Sequence, residues 1–262
     1  MKIDLSHKNA LVGASSQGIG LAVATQLAHC GASVTLMARN EERLKQLTAE
    51  LPITHPNQRH GYLKVDFSNF DEFNISITEF FERNTVDILV NNTNGPAAGR
   101  TVDIGINQYQ VAFDLLFKTV CQTTLLALPH MRAQKFGRII NISSISVKEP
   151  VPNLVLSNSI RSATAAWAKT LASEVAVDNI TVNNILTGFF YTERLKHLIA
   201  KEASDSGNTI DEIKRIKESQ VPMKRFGLPE EYGQLVAFLS SDFASYITGA
   251  NIPIDGGLGK GN

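Results

Sequence analysis

Short apolar runs alternate with helix-patterned stretches along this whole chain, and that order restricts the fold more than any other feature. Ala10–Val12, Ser33–Ala38, Tyr62–Val65, Val86–Val90, Arg138–Ile142, Ile180–Ile185 and Asn251–Ile254 read as strands. Between them, helical spacing is expected from Leu21 to Ala28, over Glu41–Glu50, around Ile75–Phe81, and over Gln108–Gln134, Asn158–Val177 and Pro229–Leu239. Pro129 is expected to distort the end of the long helix, because proline removes a backbone donor. Strands separated by helices pair in parallel, since each crossover returns the chain to the same edge, and the helices then cover both faces. The expected fold class is α/β, a doubly wound parallel sheet. The 262 residues suit a single domain spanning 1–262, with no linker or repeat. Residues 189–220 are more polar and are expected to form a mobile helical segment over the site.

In such sheets ligands sit beyond the carboxyl ends of the strands. Ser16, Arg39, Asp66, Asn91, Asn92, Ser143, Ser144 and Thr187 fall at those ends. The first end is the most informative. Gly13-Ala-Ser15-Ser16-Gln17-Gly18-Ile19-Gly20 follows a strand and opens a helix. In that context glycines give a pattern meaning: Gly18 lets backbone approach a phosphate, and Gly20 lets the helix pack closely. Unpaired amides and the dipole at the helix start favour an anion. The turn therefore reads as a pyrophosphate cradle, against the plainer alternative of an ordinary strand-to-helix turn.

Composition excludes several classes. Lys+Arg and Asp+Glu both number 25, so no global charge points to nucleic acid or an anionic membrane. Cys30 and Cys121 have no metal or redox spacing and are expected to be buried thiols. The six histidines show no ligand spacing, and no metal is expected. The first residues lack a signal-peptide core, and no apolar run reaches membrane-span length. A cytoplasmic protein is expected, with neither membrane nor nucleic acid as partner. Trp167 is expected at a helix interface, and the charged run 211–218 as a solvated lid helix.

Five stretches in order resemble the short-chain dehydrogenase/reductase family over essentially the whole chain. They are Gly-Ala-Ser-Ser-Gln-Gly-Ile-Gly at 13–20, Val-Asn-Asn-Thr-Asn-Gly at 90–95, Gly-Arg-Ile-Ile-Asn-Ile-Ser-Ser at 137–144, Ile-Thr-Val-Asn-Asn-Ile-Leu-Thr-Gly at 180–188, and Arg-Phe-Gly-Leu-Pro-Glu-Glu at 225–231. The last runs on to Tyr-Ile-Thr-Gly-Ala-Asn-Ile-Pro-Ile-Asp-Gly-Gly at 246–257. The chain is most similar to the branch that includes 3-oxoacyl-carrier-protein reductases. The resemblance implies a Rossmann-type fold, a nicotinamide cofactor, and hydride transfer between that cofactor and a small carbonyl or alcohol. It implies a homodimer or homotetramer built on helices 108–134 and 158–177. It places the cofactor on Gly13, Ser15, Ser16, Gln17, Gly18, Ile19, Gly20, Arg39, Asp66, Asn92 and Arg161, with Asp66 at the adenine.

The departures matter as much. The family's first glycine falls on Ala14, and its catalytic asparagine on Leu116. Its catalytic serine is kept as Ser144, its tyrosine falls on Ser157, and its lysine on Arg161. A tyrosine ionises near pKa ~10 and an aliphatic alcohol nearer ~15.7. At about 1.4 kcal/mol per unit, an alkoxide at Ser157 costs ~4 kcal/mol or more beyond a phenolate. Arg161 supplies a cation in a planar fork rather than a lysine's point charge, suited to ribose hydroxyls or to a substrate carboxylate or phosphate. Three accounts stay open. The protein is a reductase with a relocated proton donor, either a water on Ser157 and Arg161 or Tyr191. It is a dinucleotide-binding sensor or partner subunit with little catalysis. Or it acts on a different bond of an anionic substrate. For the cofactor, Ala38 stands where an NAD site carries an acid, and Arg39 follows, which favours NADP(H) over NAD. The alternative for Arg39 is a solvated residue starting a helix, and for Asp66 a cap on the next segment.

Overall fold

The computed structural model describes residues 2–260, so residues 1, 261 and 262 of the expected domain lie outside the described residues. The apolar runs form β1 (Asn9–Val12), β2 (Ser33–Ala38), β3 (Gly61–Lys64), β4 (Ile88–Asn91), β5 (Gly137–Ile142), β6 (Ile180–Thr187) and β7 (Asn251–Ile254). They make one sheet in the order β3-β2-β1-β4-β5-β6-β7, every pair parallel. The order reverses between β1 and β4, which is where a doubly wound sheet opens a crevice.

Alternate residues of each strand feed opposite faces. On one face Val12, Leu36, Val90 and Ile140 pack against α1 (Gly18–His29), α2 (Glu41–Glu50) and a later helix, Pro229–Ser240. On the other, Leu11, Met37, Leu89 and Ile139 meet α3 (Phe70–Arg83), the long helical stretch Ile106–Gln134 and a further helix, Val155–Val175. Central strands covered on both sides are apolar throughout, which is why they stood out in the sequence.

The long stretch is α4 (Ile106–Phe113), a π-helical turn (Asp114–Lys118) and α5 (Thr119–Gln134). Pro129, expected to distort the end of this helix, sits inside α5, which runs on to Gln134. The irregularity lies a few turns earlier, where the Thr164 hydroxyl, with one proton to give, lies 3.1 Å from the Leu116 carbonyl and 2.9 Å from the Ile160 carbonyl. By length and composition 106–134 could cross a membrane, contrary to the run-length expectation, but half of its apolar window is buried in the fold, as in a core helix.

α6 (Val155–Val175) carries Trp167, partly buried and edge-on to Phe117 at 6.2 Å. Residues 189–220 form α7 (Glu193–Ser206) and α8 (Ile210–Gln220), which close on a small cluster of Leu195, Ile199, Ala203, Ile213 and Phe226. α9 (Pro229–Ser240) completes the first face. Cys30 and Cys121 are partly buried, and burial raises both thiols, Cys121 to about 12.

One polar device crosses the sheet. Asn91, Asn141, Asn184 and Asn251 lie in register on β4 to β7. Each side-chain amide donates to the next carbonyl, at 2.9, 2.9 and 2.8 Å, and Asn91 also donates to Thr124 at 3.0 Å. Asn141 is buried and serves both neighbours. Asn141→Leu keeps the branched shape with a somewhat larger side chain but strips the buried Asn184 carbonyl of its donor, so urea unfolding should show a loss of about 2–3 kcal/mol. The double variant Asn141→Leu/Asn184→Leu should recover part of it, and a single-variant loss under ~0.5 kcal/mol would deny the ladder any role.

Candidate active site

The site begins where the turns after β1 and β4 touch. The Gly13 amide donates to the Val90 carbonyl at 3.0 Å, and Asn92 Nδ2 donates to the Gly13 carbonyl at 3.0 Å. A Cβ on Gly13 would stand 2.2 Å from the Asn92 carbonyl oxygen, so only glycine permits this approach. Ala14 takes the left-handed conformation at φ 42°, the position where the family resemblance expects a glycine.

Ser15 needs correction as a cofactor contact. It is fully buried, its hydroxyl donates to the Val12 carbonyl at 2.9 Å and accepts from the Met37 amide at 3.0 Å, and its own amide donates to the Met37 carbonyl. It ties β1 to β2 and offers a phosphate nothing. Ser16 and Gln17 continue the turn, with Gln17 as the extended N-cap of α1. Gly18 opens the helix at φ 57°, and the nearest atom to a Cβ there would be the Thr192 methyl at 3.4 Å. The space above the first turn of α1 is thus bare backbone on one side and Thr192 on the other. Its first amides have no intrahelical acceptor, as at every helix start. Gly20 lies against the Ala14 carbonyl, so its closeness serves the turn itself rather than the sheet.

Arg39 and Asp66 end up on the same edge, beyond β2 and β3. Arg39 is exposed and has no ion-pair partner among the described residues. Asp66 accepts from the Ser68 hydroxyl at 2.6 Å and the Ser68 amide at 2.9 Å. Those two bonds, with the nearby Arg39 charge, hold its carboxyl below the usual range. One oxygen of Asp66 therefore shapes the turn before α3.

Ser144, Ser157, Arg161 and Thr187 line one cleft, with Ile19 and Asn92 on its other wall. Ser144 caps the turn 145–147, its oxygen accepting from the Ser146 amide at 3.1 Å, which leaves its proton to donate into the cleft. Ser157 lies buried in the first turn of α6, and Arg161 follows one turn on, as i,i+4 spacing requires. Arg161 Nη1 donates to the Ile142 carbonyl at 2.7 Å, anchoring the guanidinium at the end of β5. Desolvation lowers its pKa to about 10, with Arg194 adding like-charge repulsion and Tyr232 opposing it. It is still a cation at neutral pH.

Leu116, where the resemblance places an asparagine, is buried in the π-helical turn beneath this cleft. Tyr191 is a correction. It stacks on Phe226 at 6.1 Å with Lys196 and Lys214 over its ring, in a separate hollow, and does not line the cleft with Ser144. The sequence reading missed Arg194, whose guanidinium lies against Gly95, and Tyr232, a buried phenol behind Thr187. Arg194 stood in a polar helix among many charges. Tyr232 fell on the apolar stripe of α9, so neither carried a distinguishing pattern.

Residues 13–259 match the family described as Enoyl-(Acyl carrier protein) reductase. The 3-oxoacyl-[acyl-carrier-protein] reductase of Aquifex aeolicus is 32% identical over 98% of this chain and 100% of its own length. An NADPH-dependent reductase of Bacillus subtilis is 31% identical over 98% of this chain and 99% of its own. Among solved structures, L-sorbose reductase from Gluconobacter frateurii, complexed with NADPH and L-sorbose, superposes with a TM-score of 0.92 at 29% identity, covering 100% of both chains.

The contact between the two turns makes a direct prediction. Gly13→Ala forces backbone apart on both sides, and urea unfolding should show a loss of at least about 2 kcal/mol. A variant as stable as the parent would mean that the 13–92 contact does not hold the site.

Proposed function

The chain belongs to the short-chain dehydrogenase/reductase family, and from that premise we propose that it is an NADPH-dependent reductase of a small carbonyl compound whose proton does not come from a tyrosine on α6. The observation that carries the proposal is the gathering of Ser144, Ser157 and Arg161 in one cleft that continues to the glycine turn.

The residues present suit the cofactor. The bare first turn of α1, from Gln17 to Gly20, would hold its diphosphate through backbone amides. Arg39, free of a carboxylate partner and following Ala38 rather than an acid, would take the 2′-phosphate. Asp66 has one carboxylate oxygen left for the adenosine side, Asn92 braces the opposite wall, and Arg161 would face the ribose hydroxyls. When bound, NADPH supplies a hydride. Ser144 donates its proton to hydrogen-bond the substrate oxygen as negative charge grows there, and Arg161 stabilises that charge from the end of β5. Ser157 and the Arg161 fork suit a water as the proton source, since a serine alkoxide is too costly. NADPH-bound relatives of closely similar fold support this choice of cofactor. Self-association is supported by the apolar residues left on the long helices, Val111 and Leu125 exposed with Phe117 and Trp167 half-covered.

Calorimetric titration with both dinucleotides tests the reading, followed by a panel of carbonyl substrates. NADPH should bind about tenfold or more tightly than NADH, and Arg39→Ala should abolish the preference. Ser144→Ala should lower kcat by about 10²–10³ with binding intact. Equal affinity for NADH would sink the cofactor choice. Tight NADPH binding without turnover of any carbonyl would replace the reductase with a dinucleotide-binding protein.

A further inference from the structure

The Tyr232 hydroxyl is buried with no exposure, and among the described residues its one hydrogen-bond partner is Thr187 Oγ1 at 2.9 Å. Distance alone leaves the donor open, but burial decides it. A phenol has one proton to donate, and water does not reach this one. Were Thr187 the donor, the buried Tyr232 proton would have no acceptor among the described residues. Tyr232 therefore donates and Thr187 accepts.

That assignment fixes the threonine. Its hydroxyl has a proton of its own, and no protein acceptor for it is found among the described residues. Thr187 is only partly buried and lines the cleft with Ser144, Ser157 and Arg161. We infer that Thr187 is a hydrogen-bond donor aimed into the cleft at a carbonyl oxygen of what binds there, and that Tyr232 is the positioning residue that aims it. The phenol is well placed for that task. Its ring is held edge-on to Phe190 at 5.2 Å, and its helix start is pinned by Glu231, which accepts from the Leu228 amide at 2.7 Å and binds Arg225 through both oxygens. A rigid donor behind Thr187 removes the rotational freedom a threonine hydroxyl otherwise has.

The inference rests on the dinucleotide-dependent reading of the cleft, where two oxygens have the required chemistry: the nicotinamide carboxamide and the substrate carbonyl. The test uses Thr187→Val, Thr187→Ser and Tyr232→Phe, with NADPH affinity read by fluorescence titration, kcat on a carbonyl reduced by the parent protein, and folding checked by circular dichroism. If the carboxamide is the acceptor, Thr187→Val and Tyr232→Phe both weaken NADPH about tenfold. If the substrate is the acceptor, both keep their NADPH affinity and lose about tenfold in kcat. In either case Thr187→Ser stays near the parent in the affected quantity, which a purely structural role of the pair would not produce. Folded Thr187→Val and Tyr232→Phe proteins with parental affinity and kcat overturn the inference, as does a loss confined to Thr187→Val. A parent protein that binds no dinucleotide removes the reading of the cleft and this inference together, whereas a binding parent with unaltered variants removes this inference alone.

Discussion

Parallel pairing of all seven strands is the constraint on which everything else rests. Because every strand runs the same way, each carboxyl end opens on one edge, and Gly13, Arg39, Asp66, Asn92, Ser144 and Thr187 arrive there from six different strands. A slip of one residue would turn a strand's side chains to the opposite face. Apolar burial resists that everywhere, but on β4 to β7 the asparagine ladder resists it more sharply. Four amides bond in series only at one register, and a slip would leave the buried Asn91, Asn141 and Asn184 without these partners. The ladder ends at Asn91, next to Asn92, so register and site geometry are set at the same place.

Within the glycine turn, holding and presenting are separate tasks. Gly13, Ser15 and the Asn92 Nδ2 group serve in tying β1 to β2 and β4. Gly18 and Ile19 present backbone and a side chain to the open groove. A left-handed non-glycine residue costs roughly 1–2 kcal/mol, and Ala14 holds that conformation between these two groups. The strain persists because the bonds on either side of it fix the chain.

Much of the fold was legible because buried parallel strands are apolar on both faces, so β1, β2, β4, β5 and β6 appear as continuous runs. The glycine turn was legible because its glycines sit between a strand and a helix. Strand ends were less so. β3 begins at Gly61 and β4 at Ile88, since Val86 is apolar through packing rather than pairing. The ladder was invisible because its asparagines lie far apart in sequence and join only through register. Tyr191 looked like a site residue because it follows β6, but its ring turns away to Phe226 and two lysines. Tyr232 was hidden for the opposite reason, as an ordinary core position whose single polar atom matters only once Thr187 is beside it.

The chemistry left in the cleft is that of aliphatic hydroxyls and guanidinium groups, Ser144, Ser157, Thr187 and Arg161 among them. Ser144, Ser157 and Thr187 are each far weaker acids than a phenol, and Arg161, though lowered to about 10, does not surrender its proton near neutrality. None of the three hydroxyls is suited to full proton transfer, whereas they and Arg161 suit the stabilisation of a forming alkoxide through hydrogen bonds and charge. Burial makes that stabilisation larger, because Arg161 sits where desolvation and Arg194 already raise the energy of its charge, and a negative oxygen nearby relieves both. Under the proposed reductase reading, that shifts the burden from an acid that donates early to a preorganised electrostatic site, with water as the proton source.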